Sequence, residues 1–528
     1  MMNIAQVRQG SKQPTQCGTK NGGTTLAANK RFRFAVIATT LSVALSFMSS
    51  AGVEGIDHHD NQRLGQVIIL VIAAFILLWR IIIDRIDTIA ASNMAFPCLV
   101  IFFALGLLSS FTAWSVRHAL YELASFGLLI VLACLIANEI STFGESLLEL
   151  ILRLCGGGCA LYVLLALEAH VLALVQGIPM HGATFVFISF DSPRFFNYVQ
   201  TVSLPLLGLL TTRSLLFVSG EHRDGNRLDG AWHRYEFLFW SAVLIFWWML
   251  LFASGGRGAF AGIIIGMAVA YLHCRKHAKL WIHTMVFSCL AGLLAYFLLY
   301  FLVPQMLGIP AAGNPFETVE RTIASPATGR YALWRAALEM ILTHPFLGVG
   351  PLHYAHYDAY LHIASHPHNW PLQIASEWGI PAALFLSLTL VRLWQTLVNI
   401  KKNISQDDLV SSTTLSVLIA TYTAILVDGM VSGLIVMPAS QLWIALYGGC
   451  AWGWLKLQRP TSDTPQYPRS RFEKCLYGLS LTALSIMLVQ GLWPEVADLQ
   501  KHRELSIQRN MLHGIKMLWP RLWSAGYF

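Results

Sequence analysis

The sequence predicts an all-α polytopic membrane protein, and three observations carry that class. Hydrophobic residues make up 55% of the 528 positions and charged residues only 12%, with a mean hydropathy of +0.56, too little polar surface for a soluble multidomain enzyme. Apolar runs of bilayer length recur along the chain, whereas a β-barrel would show short alternating segments. Basic residues gather on alternate connections, as the loops of one membrane face do.

The first 33 residues are polar and carry Arg8, Lys12, Lys20, Lys30, Arg31 and Arg33. Residues 1–33 therefore read as a cytoplasmic tail, and the run from Phe34 to about Ser50 reads as a retained anchor. Further apolar segments lie near 64–83, 96–114, 120–137, 152–175, 198–217, 235–253, 259–273, 280–303, 380–398, 410–427, 438–455 and 475–493. With the first run they make about thirteen spans. Alternation from a cytoplasmic start puts Arg80 with Arg85, Arg223 with Arg227 and Arg234, Arg275 with Lys276 and Lys279, Lys401 with Lys402, and Lys456 with Arg459 on the inside, as the positive-inside rule requires. The tail 494–528 is the exception: it holds Lys501, Arg503, Arg509, Lys516 and Arg521 yet falls outside by count. Either the last segment does not cross, or the tail is a surface-bound helix. The chain thus divides into N-terminal spans over 34–303, an external loop over 304–379, C-terminal spans over 380–493, and the tail.

Lys plus Arg exceed Asp plus Glu by 36 − 28 = +8. In a membrane protein that excess is topology information, and no nucleic-acid partner is expected. Cys98, Cys134, Cys289 and Cys450 sit inside apolar runs as small hydrophobes, and no disulfide framework is implied. Cys155 and Cys159 lie one turn apart, but no second Cys or His pair lies nearby, so packing is the reading there too.

A loop as long as 304–379 is usually functional. It holds six of the 18 histidines, from His344 to His368. Trp334, Ala337, Leu338 and Ile341 recur at helical spacing and predict an amphipathic helix ending before His344-Pro345, its apolar face on the bundle or the membrane surface. A second helix follows His366-Pro367-His368-Asn369, with Pro371 in its first turn and Gly379 at its end. Asn369, Gln373 and Glu377 share one face of it, with His368 at the tip, a polar surface suited to a sugar hydroxyl. Arg257, in Ser254-Gly255-Gly256-Arg257-Gly258, reads either as a snorkelling cation at a membrane boundary or as an anion site for a lipid diphosphate, since a guanidinium forks onto phosphate oxygens. Arg194, in Asp191-Ser192-Pro193-Arg194, offers a second external cation before a span.

Together these pieces resemble the O-antigen ligase and O-antigen polymerase superfamily of bacterial envelope glycosyltransferases, which includes the protein O-oligosaccharyltransferases. The resemblance runs from about Phe190 to Gln441. It rests on Ser-Pro-Arg ending at Arg194, Ser-Gly-Gly-Arg-Gly around Arg257, Gly329-Arg330 with Trp334, His344-Pro345 with Gly348-Val349-Gly350, and His368-Asn369 with Gln373, Glu377 and Gly379. It implies a GT-C-like helical bundle in the inner membrane. Such a bundle moves a glycan from undecaprenyl diphosphate to an acceptor hydroxyl, that of the lipid A core in a ligase, at the periplasmic face and without a metal or other cofactor. In that scheme Arg194 and Arg257 stabilise the leaving diphosphate, His368 is the base, and Arg330 and Arg335 bind phosphate or acceptor with Asn369, Gln373 and Glu377. The tail departs from the pattern, since ligase-like members are expected to end in the cytoplasm, and it is too short for the soluble domain common in the protein-glycosylating branch.

Two other readings compete. Glu54, Asp57, His58, His59 and Asp60 fill the first external loop, where other GT-C enzymes place acids that act on lipid monophosphates, sometimes with a metal. A lipid-linked oligosaccharide flippase or other transporter would use embedded polar groups such as Glu139, Glu168, His170 and Asp428. For a metal, the long loop's candidates are His353 with His356, or His362 with His366, against the interruption by Pro367.

Overall fold

The computed structural model describes residues 35–47, 56–83, 95–180, 184–218, 227–312, 330–357, 365–405, 407–459, 470–512 and 520–524. Regular structure among them is helical throughout. In chain order the principal helices are α1 (Ala35–Ala44), α2 (His58–Ile82), α3 (Ala95–Thr112), α4 (Val116–Phe143), α5 (Glu145–Val175), α6 (Pro193–Val218), α7 (Arg227–Ser254), α8 (Arg257–Cys274), α9 (Lys279–Tyr296), α10 (Arg330–Thr343), α11 (Trp370–Trp378), α12 (Ile380–Asn399), α13 (Leu409–Gly429), α14 (Pro438–Leu457), α15 (Arg471–Leu492) and α16 (Leu499–Leu512).

Ten helices among the described residues are long and apolar enough to cross a membrane. One of these stretches, Arg257–Met306, has 50 residues. At roughly 1.5 Å per residue that is about 75 Å, more than twice a hydrocarbon core of about 30 Å. Arg275, at φ 52°, opens a 3-10 turn over Arg275–Ala278 that divides the stretch into α8 and α9. Within the first apolar run, expected to span to about Ser50, the described residues are α-helical over Ala35–Ala44, with Val36, Val43 and Phe47 buried.

The helices pack as a bundle in which α8 lies along α13, α4 along α14 and α15, α6 along α7 and α13, and α3 along α12. Small residues make the tightest of these contacts possible. Gly262 and Gly266 of α8 face the Ala424 and Ala420 carbonyls of α13, where a Cβ would press on backbone. Buried Trp247, Trp281, Trp443 and Trp454 fill the interior.

Polar long-range contacts gather the loop helices and one set of helix termini at a single end. Ser109 near the end of α3 bonds the Glu377 carbonyl in the last turn of α11 (3.1 Å), Asn369 before α11 bonds Met430 after α13 (3.1 Å), and Arg63 of α2 bonds Gln441 of α14 (3.1 Å). Residues 520–524 sit at this same end, since Arg521 pairs with Glu377, so the tail lies with the long loop. Elsewhere Arg275, Lys276, Lys401 and Lys402 line one cleft, bringing together two of the basic connections that the charge pattern puts on one side.

The loop helix α10 differs from expectation in its facing. Leu333, Ala336, Ala337 and Met340 are the buried set, while Leu338 is half exposed. The stripe is turned by one residue because α10 packs on α11 through Ala336, Ala337, Met340 and Leu372. Trp334 stays at the edge, where its indole has another use.

Candidate active site

Three of the expected site residues stand at or just before helix N-termini, and a fourth, Arg330, is the first described residue of its helix. Arg194 is the second residue of α6, Arg257 the first of α8, and His368 lies two residues before α11. Exposed N–H groups and the helix dipole make such termini positive. Arg257 and Arg194 act electrostatically on Arg330, and Arg330 and Arg194 act on His368. Burial, followed by repulsion from Arg257, lowers the Arg330 guanidinium below its ordinary value.

Close backbone approaches set the first two arginines in place. Gly256 lies so near Asn197 that a Cβ there would stand 2.5 Å from its Cγ. Ser254 Oγ donates to Asn197 Oδ1 at 2.5 Å, tying the end of α7 to the first turns of α6. Gly258 gives way in the same manner to the Asp428 carboxylate, which accepts from Thr201 Oγ1 at 2.6 Å. The Ser-Gly-Gly-Arg-Gly segment is thus a crowded junction of α6, α7, α8 and α13. Asp428 also acts electrostatically on Arg330. Sequence reading assigns this acid to transport, on the sole signal of a charge beside an apolar run, and misses Asn197 altogether.

His368 is held by its neighbours on both sides. Trp334 Nε1–H donates to the Pro367 carbonyl at 3.0 Å, and Asn369 caps α11, accepting from the Leu372 N–H at 3.0 Å. The His366 ring lies 4.1 Å from that of His368, in room that Gly433 leaves by lacking a side chain. His368 itself has φ 53°, a left-handed conformation that costs a bulky residue about 1–2 kcal/mol; such strain concentrates at functional sites. Burial first, then Arg330 and Arg194, lower its imidazole to about 3. The ring is therefore neutral near pH 7, as a proton acceptor must be.

The other expected residues lie elsewhere. Arg335 is 72% exposed and pairs with Glu339 at 2.9 Å on the outer face of α10; the turned stripe points it to the surface. Asn369 is engaged as a cap and with Met430 O. Gln373 and Glu377, expected to meet a sugar, face the interior. Arg521 pairs with Glu377 at 2.7 Å and with Glu122 of α4 at 2.9 Å. With its amide oxygen toward Arg521, Gln373 accepts from it at 2.9 Å. Glu377 Oε1 also accepts from the Tyr354 N–H at 3.1 Å. Burial pushes the Glu377 carboxyl above the usual range, and Arg521 pulls it back. Below it, Val349 N–H and Gly350 N–H donate to the Ser376 and Glu377 carbonyls, each at 2.9 Å, so the Gly-Val-Gly turn satisfies the end of α11.

The groups of the competing readings are engaged as well. Asp60 accepts from Ser524 N–H (2.6 Å), and Asp57 from Ser524 Oγ (2.6 Å) and Arg503 (3.0 Å); Glu54 lies outside the described residues. Glu139 pairs with Arg80, His170 meets the Leu299 carbonyl at 3.1 Å, and Glu168 is exposed. His353 Nε2 accepts from Ser115 N–H at 2.9 Å, whereas His362 lies outside the described residues. Among the described residues no three His, Cys, Asp or Glu side chains are grouped to hold a metal ion.

Residues 241–387 match the O-antigen ligase family model. The matched stretch contains Arg257, Arg330, Gly348-Val349-Gly350 and His368, and leaves Arg194, Asp428 and Arg521 outside it. No curated protein matches the chain.

Proposed function

From the match of residues 241–387 to the O-antigen ligase family model, we propose that the chain is a member of that superfamily and transfers O-antigen or a related glycan from undecaprenyl diphosphate to a hydroxyl of the lipid A core. The reading places it in the bacterial inner membrane as a GT-C-like enzyme, with the arginine-lined end facing the periplasm. One observation supports it: Arg194 and Arg257 act electrostatically on Arg330, and Arg194 and Arg330 act on a neutral, strained His368.

The chemistry follows from those groups. As the acceptor oxygen bonds to the anomeric carbon, the bond from that carbon to the diphosphate oxygen breaks and its electron pair leaves with the lipid diphosphate. Negative charge then grows on the diphosphate, where the Arg194, Arg257 and Arg330 guanidinium groups would stabilise it, and fixed electrostatic stabilisation of this kind is often what contributes most to catalysis. Arginine charge takes the part that a divalent cation has in other transferases, so the reaction is read as metal-independent. The acceptor proton goes to the His368 imidazole. Donor diphosphate would offset Arg330 and Arg194, the two cations that help hold the imidazole low, so binding of the donor itself raises the basicity of His368. Asp428 stands behind Arg330 and steadies it.

The test is a deletion strain complemented with wild-type or His368→Ala protein, scored by polysaccharide gel and by the amount of glycan left on the lipid carrier. A lost ladder with polymer accumulating on the carrier supports ligation. Core carrying a single repeat indicates a polymerase, glycan missing from protein indicates a protein oligosaccharyltransferase, and an undiminished ladder with His368→Ala would overturn the assignment of the base.

A further inference from the structure

The most heavily buried ionic cluster in this end of the bundle is completed by the tail. Arg521 is 2% exposed, and its guanidinium reaches Glu122 on α4 and both Gln373 and Glu377 on α11. The backbone around it is held as firmly. The Arg521 and Leu522 carbonyls accept from Arg63 of α2, at 2.8 and 3.4 Å, and Leu522 O also meets His59 Nε2 at 3.3 Å. Ser524 is bound to Asp57 and Asp60, and Leu522 and Trp523 are buried. Arg63 extends the network to Gln66 and Gln441. Residues 520–524 therefore form a strap that delivers one cation to two carboxylates, and one of those carboxylates belongs to the helix that begins beside His368.

We propose that Arg521 is a positioning residue for the transfer reaction: by clamping Gln373 and Glu377 it fixes the axis and rotation of α11, and through the Asn369 cap it fixes His368. The inference rests on the proposed role of His368. It goes beyond that role in assigning the tail a part in the site. The helix is only 9 residues long, so an inward anchor on its second and third turns governs the placement of its first. Without the guanidinium, two buried carboxylates face each other uncompensated, and the helix must shift or take up protons to relieve them.

The full-length protein, purified in detergent and supplied with lipid-linked glycan and lipid A core, tests this with Arg521→Ala, Arg521→Lys and the charge-neutral double variant Glu377→Gln with Arg521→Gln. Two readouts are taken per folded molecule: kcat against donor KM, and the rate at which diethyl pyrocarbonate modifies His368, read by mass spectrometry with exposed His344 as internal standard. Arg521→Ala should lower kcat by about 10- to 100-fold, the scale of an ångström misplacement, with donor KM nearly unchanged. Its His368 should be modified several-fold faster while His344 is not, and Arg521→Lys should recover part of both. Should Arg521→Ala fail to fold, the double variant carries the same prediction with one buried carboxylate, Glu122, deprived of its partner in place of two. Wild-type kcat and wild-type His368 reactivity in folded variants, even with lowered thermal stability, would reduce the strap to a staple and overturn the proposal. Inactive wild-type protein would instead count against the transfer reading, while the modification rates still judge the coupling of Arg521 to His368.

Discussion

Replacing Gly348 by alanine should damage this protein far more than replacing Gly177, although the two have nearly the same backbone. Gly348 has φ 67° and Gly177 φ 66°, so a Cβ costs each about 1–2 kcal/mol in left-handed strain. Their surroundings differ. Nothing lies within 4 Å of a Cβ at Gly177, whereas at Gly348 a Cβ would stand 2.5 Å from the Glu377 carbonyl oxygen and 2.6 Å from that of Ser376. Both obstacles are backbone, so they yield only if α11 moves. Overpacking of this kind costs about 1–3 kcal/mol. If α11 retreats, the bonds from Val349 and Gly350 to the Ser376 and Glu377 carbonyls weaken as well, at about 1 kcal/mol each. The sums are about 1–2 kcal/mol for Gly177→Ala and roughly 4–7 kcal/mol for Gly348→Ala. Thermal unfolding of both variants in the same detergent should give a markedly lower midpoint for Gly348→Ala, and its transfer rate per folded molecule should fall because His368 rides on α11. Equal midpoints for the two variants would show that the turn and the helix end are not in contact, and the account of this end of the bundle would fail.

His368→Ala should fold and bind donor yet lose about 10²- to 10⁴-fold in transfer rate, the range of a general base; steady-state kinetics on reconstituted protein measures it. Arg257→Ala should lower kcat by about 10²- to 10³-fold, and Arg257→Lys should recover only part, since an ammonium lacks the bidentate fork. Arg335→Ala, which removes only an exposed pair with Glu339, should change stability by less than about 1 kcal/mol and leave the rate within a few-fold of wild type. The pH response has a defined sign. His353 is lowered to about 4 and His368 to about 3, both chiefly by burial, so the unfolded chain takes up protons first as pH falls below about 6.5. Their contribution to stability is intact above about 6.5 and is lost between there and pH 3 to 4, which unfolding midpoints across that range would reveal. Arg330→Gln removes a cation that depresses His368, so the acid limb of kcat/KM should move to higher pH; an unmoved limb would separate Arg330 from the base.

Much of this molecule could be read in advance because hydropathy and helical spacing are local properties. The apolar runs became helices, Pro371 and Gly379 bounded α11 as expected, and Arg257, Arg330 and His368 stood out from short motifs. Facing was harder. The period of α10 was right while its stripe was off by one residue, since a Trp, a Leu and a Met are equally apolar until a neighbour selects among them. Glu377 and Gln373 show the limit best: their i, i+4 spacing correctly put them on one helix face, but composition could not say that the face turns inward. Arg63, Glu122 and Arg521 offered only the weak signal of charges in a chain poor in them.

The sequence by itself determined a helical membrane protein, the order of its apolar helices, and which residues have chemistry suited to a phosphate and a hydroxyl. Only the tertiary structure decided that Arg194 and Arg257 both act on Arg330, that Arg335 pairs with Glu339 at the surface, and that the tail returns to complete an ionic cluster with a carboxylate 144 residues away. The physical reason is range. Propensity and hydropathy act within a turn or across one bilayer, whereas buried charges are satisfied by whichever partner packing brings near, and that partner leaves no periodic trace in the chain.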